Sequence, residues 1–185
     1  MPYKTIAFFA ILLAVLSLAV YWYVSRPTPE EKALLDFFSE FKNGKYAEAQ
    51  EYTANNDFYT MAAETSVRDT NGKTYLIGSY FPESQREILR YSIETYVRRH
   101  ISKWKYTFME TAKMGTDSSV VHFRLDIGIR EFTTGEGMFG TAHEGSVEGN
   151  AFMVFQNGQW AIEKFELNLS SDEGLVLEKY LSMRY

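Results

Sequence analysis

Cysteine is absent from the 185 residues. That excludes disulfides, thiolate metal sites, cysteine nucleophiles and a lipid-modified N-terminal cysteine. Histidine is scarce, with only His100, His122 and His143. No two of them stand at the i, i+4 spacing by which one helix face holds a metal, and no carboxylate set surrounds them. No metal or other cofactor is therefore expected. The chain also lacks an internal repeat, a low-complexity tract and a phosphate loop. The glycines of Gly135–Gly145 are not followed by Lys-Ser/Thr, and they sit between strands rather than before a helix. Positive charge is in deficit too. The chain carries −5, and setting Lys4 aside leaves −6 on the remainder. A surplus of acid argues against nucleic acid or anionic lipid as a partner, since both select basic patches.

What the chain does have is one long apolar run. From Thr5 to Val24 no residue is charged and Ser17 is the only polar interior residue. About 20 such residues match an α-helix crossing roughly 30 Å of hydrocarbon. Cleavage as a signal peptide is the competing reading, with Ser17-Leu18-Ala19 as a weak site. The run continues past that site into Tyr21, Trp22 and Tyr23, an aromatic belt beside Arg26 of the kind that anchors a helix end at the interface. The expectation is a retained transmembrane helix over 5–24 after a four-residue tail, a stiff 25–29 linker, and a soluble domain over 30–185. Flanking positive charges are nearly balanced, with Lys4 before the run and Arg26 and Lys32 after it. The very short N-terminus places that end in the cytoplasm and the domain on the periplasmic or extracellular side of a cell membrane.

Periodicity gives the domain its elements. Leu34, Phe37, Phe38 and Phe41 recur at i, i+3, i+4 and i+7, which predicts a helix over Glu30–Lys42. Thr28 is its expected N-cap and Pro29 its first residue. A second short helix is predicted over Lys45–Ala54, a helical turn over Phe58–Ala63 and an edge strand over Thr74–Tyr80. Pro82–His100 reads as a strong helix with Ile88, Tyr91 or Ser92, Thr95 and Tyr96 inward. Thereafter the period changes to two. Trp104, Tyr106 and Phe108 alternate with polar residues, and so do Val121, Phe123, Leu125, Ile127 and Ile129. Val147–Gln156 and Gln159–Leu169 flank Asn157-Gly158, a two-residue hairpin signal. Parity breaks near Glu163 and Lys164, where a bulge is expected. Ser170, Ser171 or Asp172 would cap a terminal amphipathic helix through Met183.

Helices first and an antiparallel sheet second make this an α+β chain. The segment EKALLDFFSEFKNGKYAEAQEYTA resembles the opening helix pair of nuclear transport factor 2-like domains. The ending AFMVFQNGQWAIEKFEL resembles their closing strands. The resemblance spans Glu30 to Leu169. It implies a cone-shaped roll, a curved antiparallel sheet wrapped around helices, often with a pocket at the open end. The terminal helix or the Gly135–Gly145 excursion is placed to cover that mouth. Enzymes of this fold, such as ketosteroid isomerases and dehydratases, use an Asp or His base and an oxyanion donor inside the cone. Here the best inward acid is Glu163, with Tyr91 or Tyr106 as donors.

Against that constellation stands a wholly apolar inward face on the 120s strand. The preferred expectation is therefore a non-catalytic, membrane-anchored interaction module, an accessory or assembly subunit of a larger membrane complex. Its partners would be integral membrane subunits, and it is able to self-associate. Met138 and Phe139 in the glycine-rich loop, with His122, Arg124 and Arg130 on one strand face, are the candidate contacts. The competing expectation is a domain that binds or converts a small apolar ligand.

Overall fold

A computed structural model describes residues 26–69, 71–130 and 142–169. The apolar run over 5–24, its Tyr21, Trp22 and Tyr23, the loop residues Met138 and Phe139, and the terminal helix expected after Leu169 lie outside the described residues. Among the described residues no helix is long and apolar enough to cross a membrane.

The first helix, α1 (Pro29–Lys42), starts where its residue types demand. Thr28 Oγ1 accepts from the Glu31 amide at 3.2 Å, and the Thr28 amide donates back to Glu31 Oε2 at 2.9 Å. This reciprocal box satisfies two of the amides that a helix start otherwise leaves orphaned. Its apolar stripe of Leu34, Phe37, Phe38 and Phe41 is buried as the spacing predicts. The second helix, α2 (Tyr46–Gln50), is shorter than expected. The chain leaves it so that Thr53 can bridge Ile162 in parallel, and the Ile162 amide donates to the Tyr52 carbonyl at 2.7 Å.

Asp57 opens the third helix, α3 (Phe58–Glu64). Its Oδ1 accepts from the amides of Tyr59 and Thr60 at 3.1 and 3.3 Å, its Oδ2 accepts from Thr60 Oγ1 at 2.9 Å, and Arg86 pairs with it. Burial works to raise the Asp57 carboxyl, but the bonds from Thr60 and Arg86 outweigh it and hold the group below the ordinary aspartate range. A lowered folded value stabilises the fold above the aspartate range, and that contribution is lost as pH falls through the lowered value. Asp57→Ala is expected to lose about 1–2 kcal/mol near neutrality, as cap deletions do. The deficit should shrink once acid protonates the wild-type carboxyl. Urea unfolding of both proteins at about pH 7 and about pH 3 measures the difference.

Two short strands follow, β1 (Ser66–Arg68) and β2 (Thr74–Leu76). Next comes α4 (Arg86–His100), entered through a tight turn at Glu83–Gln85. Four long strands complete the chain: β3 (Ile101–Lys113), β4 (Ser118–Arg130), β5 (Ala142–Gln156) and β6 (Gln159–Leu169). The sheet order is β2-β1-β6-β5-β4-β3, antiparallel except where β1 runs parallel to β6. The β5–β6 hairpin closes on Asn157 and Gly158 with φ of 52° and 84°, which is why those two residue types stand there. The bulge falls where parity breaks. Phe152 pairs with Lys164 and Met153 with Ile162, leaving Glu163 unpaired between them.

One expectation is corrected on α4. Ile88 and Tyr91 are 50% and 65% exposed, and Leu89, at 1%, is buried instead. The sequence carries two overlapping stripes, one through Ile88, Tyr91 and Thr95, the other through Leu89 and Ile93. Packing selects the second because both of its members are aliphatic, whereas burying Tyr91 would strand a hydroxyl without water.

The candidate site: an apolar cavity inside the cone

The helices lie on the concave side of the sheet and do not fill it. A cavity of ≈ 240 Å³ remains between them. Its walls come from Phe37, Phe38 and Phe41 on α1, Phe58, Met61 and Ala62 on α3, Leu89 and Ile93 on α4, and Trp104, Phe123, Phe165 and Leu167 on the sheet. Ile77, Phe81, Val67 and Thr65 complete it. The ring geometry explains why the space stays open. Phe38 sits edge-on to Trp104 at 5.6 Å and to Phe123 at 5.4 Å, and stacks on Phe165 at 6.0 Å. Flat rings held at these angles brace one another and resist collapsing inward. Gly149 lies under the same cluster. A Cβ there would come within 2.7 Å of the Phe123 ring, so the backbone of β5 can approach only as glycine.

Polar groups on the wall are few. Thr65 is satisfied locally, donating to the Met61 carbonyl at 2.8 Å and accepting from the Phe165 amide at 3.2 Å. The Trp104 indole N–H is buried and has no acceptor among the described residues. No carboxylate, histidine, lysine or arginine stands on the wall among the described residues. General acid–base catalysis requires such a group within hydrogen-bond reach of the substrate. The arrangement can bury an apolar group.

The acid–base constellation read from the sequence is not assembled. Glu163, the extra residue of the bulge, is exposed. Tyr91 points to solvent on α4. Tyr106 is half-buried and stacked on Phe38 at 6.2 Å, outside the cavity wall. The bulge does turn parity as expected, but it turns Ile162 and Phe165 inward, not the acid. The expected partner contacts are placed in part. His122 and Arg124 project from the convex face of β4, opposite the buried Val121 and Phe123. The His122 ring Nδ1 is 2.6 Å from Asn150 Oδ1, and Arg124 Nε donates to Asp126 Oδ1 at 2.8 Å. Arg130 is described by its backbone alone, at the end of β4 opposite Ala142. Among the described residues no group of three His, Asp or Glu is placed to hold a metal.

The helical turn read over Phe58–Ala63 is present as α3, but its cavity-facing stripe was not read from the sequence. Phe58, Met61, Ala62 and Thr65 recur at i, i+3, i+4 and i+7, a helical stripe hidden by the shortness of its segment. Sequence reading also missed β1, whose three residues carry too little pattern to announce a strand.

No family model matches this chain, and no curated protein matches it. Solved structures do. A ketosteroid isomerase-like protein from Erwinia carotovora atroseptica superposes with a TM-score of 0.51 at 10% identity, covering 77% of this chain and 94% of that one. A protein of the NTF2-like family from Streptomyces avermitilis superposes with a TM-score of 0.50 at 11% identity, over 75% and 92% of the two chains. A protein of unknown function from Mycobacterium tuberculosis gives 0.50 at 10% identity, over 83% and 84%. These likenesses establish the fold of nuclear transport factor 2-like, ketosteroid isomerase-like domains for the described residues.

Proposed function

We propose that this chain is a non-catalytic binding module, held at a membrane by residues 5–24, whose cone takes up a small neutral apolar group. The observation that carries the reading is the ≈ 240 Å³ cavity, walled by aromatic and aliphatic side chains with no ionisable group among the described residues. An apolar cavity of about 150 Å³ is enough to admit benzene. A single ring or a short branched chain therefore fits here. An anion would enter without a counter-charge, which disfavours fatty acids with the carboxylate inside. The uncharged run Thr5–Val24 supports attachment to a bilayer, the phase from which apolar ligands partition.

Ala62 faces the cavity from α3 and is buried, so Ala62→Phe places a ring in the empty space. The full-length protein and this variant, purified side by side in one detergent, should differ in one class of solvent-extractable molecule. The wild type is expected to retain a neutral apolar compound that Ala62→Phe loses, with thermal stability unchanged or raised in the variant. Identical extracts from the two would count against the proposal.

A second reading makes the chain an accessory subunit docked to other membrane proteins through its convex sheet face. It is supported by the half-buried Phe152 and Val154, which share that face with His122 and Arg124 but pair with Val120 and Ser118 further along β4. Recovery of defined membrane subunits with the wild type, but not with an Arg124→Glu/His122→Glu variant, is its expected signature.

A further inference from the structure

One end of the sheet carries an apolar tip that the cavity does not explain. The turn joining β3 to β4 exposes Met114 to 69%, and Phe155, next to the β5–β6 hairpin, is 42% exposed. The Phe155 amide donates to the Asp117 carbonyl at 2.8 Å, which ties that turn to the hairpin end. The Phe155 and Trp160 rings lie 5.4 Å apart, and Lys113 Nζ sits 4.4 Å above Trp160. The same corner receives the start of α1. Glu30, only 1% exposed, pairs with Lys113, and Glu31 Oε1 accepts from Thr111 Oγ1 at 2.7 Å. The first turn of α1 is thus bolted to the last residues of β3.

From this geometry we infer that the Met114–Phe155–Trp160 tip seats in the headgroup layer of an uncharged, zwitterionic bilayer surface, the surface that the apolar run enters. The inference rests on the membrane-tether reading above. Only Ser25, Arg26 and Pro27 stand between Val24 and the N-cap Thr28, a reach of four residue steps or at most about 14 Å of extended chain. Because Glu30 and Glu31 fix α1 to β3, the short tether carries the tip with it and presents it to the bilayer. Tryptophan with phenylalanine beside a lysine stem is the composition that settles at a membrane interface, rings inward and polar ends wet. Charge selects the lipid. Lys113 is committed to Glu30, and Arg26 and Asp117 contribute one charge of each sign. The corner therefore holds no cationic surplus to draw anionic headgroups.

Because the chain lacks cysteine, single-cysteine spin labels test this directly. The full chain would be reconstituted in phosphatidylcholine vesicles, with labels at Met114→Cys, Phe155→Cys, Lys105→Cys and Leu13→Cys. Lys105 lies eight residues back along β3, about 26 Å from Lys113. Oxygen accessibility exceeding that of a water-soluble nickel complex is expected at 13, 114 and 155, with the reverse at 105. Asp117→Cys gives the same reading without disturbing the ring cluster. Labels at 114, 117 and 155 as water-exposed as the one at 105, with Leu13→Cys in lipid, would overturn the tip contact and leave the tether standing. A water-exposed label at 13 would overturn both.

Discussion

Phe123→Ala is expected to cost about 3–5 kcal/mol of folding stability, the usual range for emptying a buried phenylalanine site. Phe123 is 1% exposed, seated over Gly149, and edge-on to both Phe38 and Phe165 at 5.4 and 5.9 Å. Removing it takes away ring contacts from two other wall residues and enlarges a space that is already unfilled. The bracing rings cannot close over the new void, so the loss should fall at the upper end of the range. Chemical denaturation reads the effect as a lower midpoint with little change in slope. Phe123→Leu, which keeps most of the volume, should recover much of the difference. A loss below about 1 kcal/mol would mean that the cone collapses freely, and an unbraced cavity would not persist as a binding site.

Lys113→Ala should be nearly as damaging for a different reason. Glu30 is almost fully buried, whereas the Lys113 side chain is 58% exposed. The lysine thus pays a modest desolvation cost to compensate a carboxylate that cannot reach water. Deleting it leaves Glu30 buried and uncompensated, at a cost of about 2–3 kcal/mol once the exposure of the lysine is allowed for. Lys113→Arg should retain most of the stability. The double variant Glu30→Leu/Lys113→Met should recover most of what Lys113→Ala loses, because it removes the stranded charge along with its partner. Equal losses in Lys113→Ala and the double variant would show that packing of the lysine stem over Trp160, 4.4 Å from its ammonium, carries the effect instead.

Much of this architecture is written in local patterns. The α1 stripe, its Thr28 cap, the alternation of β4, the Asn157-Gly158 turn and the Glu163 bulge are each set by neighbours within a few residues. They were legible for that reason. The corner at Glu30 was not, because its partner lies 83 residues away and an acidic residue in a first helical turn already has a local explanation in the helix dipole. The inward face of α4 was misread because two stripes overlap and only the tertiary packing of Leu89 and Ile93 decides between them. The cavity is least legible of all. It is a volume left between α1, α3, α4 and the sheet, and no residue type encodes a space. What the sequence did contain was its chemical character, since every strand face turned toward it is apolar.

A binding role requires that volume to be an open and specific site. The chain has seven methionines, and among them Met61 lines the cavity, Met153 is buried away from its wall, and Met109 and Met114 are exposed. Methyl-labelled methionine in the full-length protein therefore carries its own controls. Titration with benzene, followed by methyl resonances, should move Met61 saturably. Met109 and Met114 should drift linearly or not at all, and Ala62→Phe should abolish the Met61 response. A Met61 resonance that ignores benzene, or that drifts only as the exposed methionines do, would contradict the claim that this cone is built to hold an apolar guest.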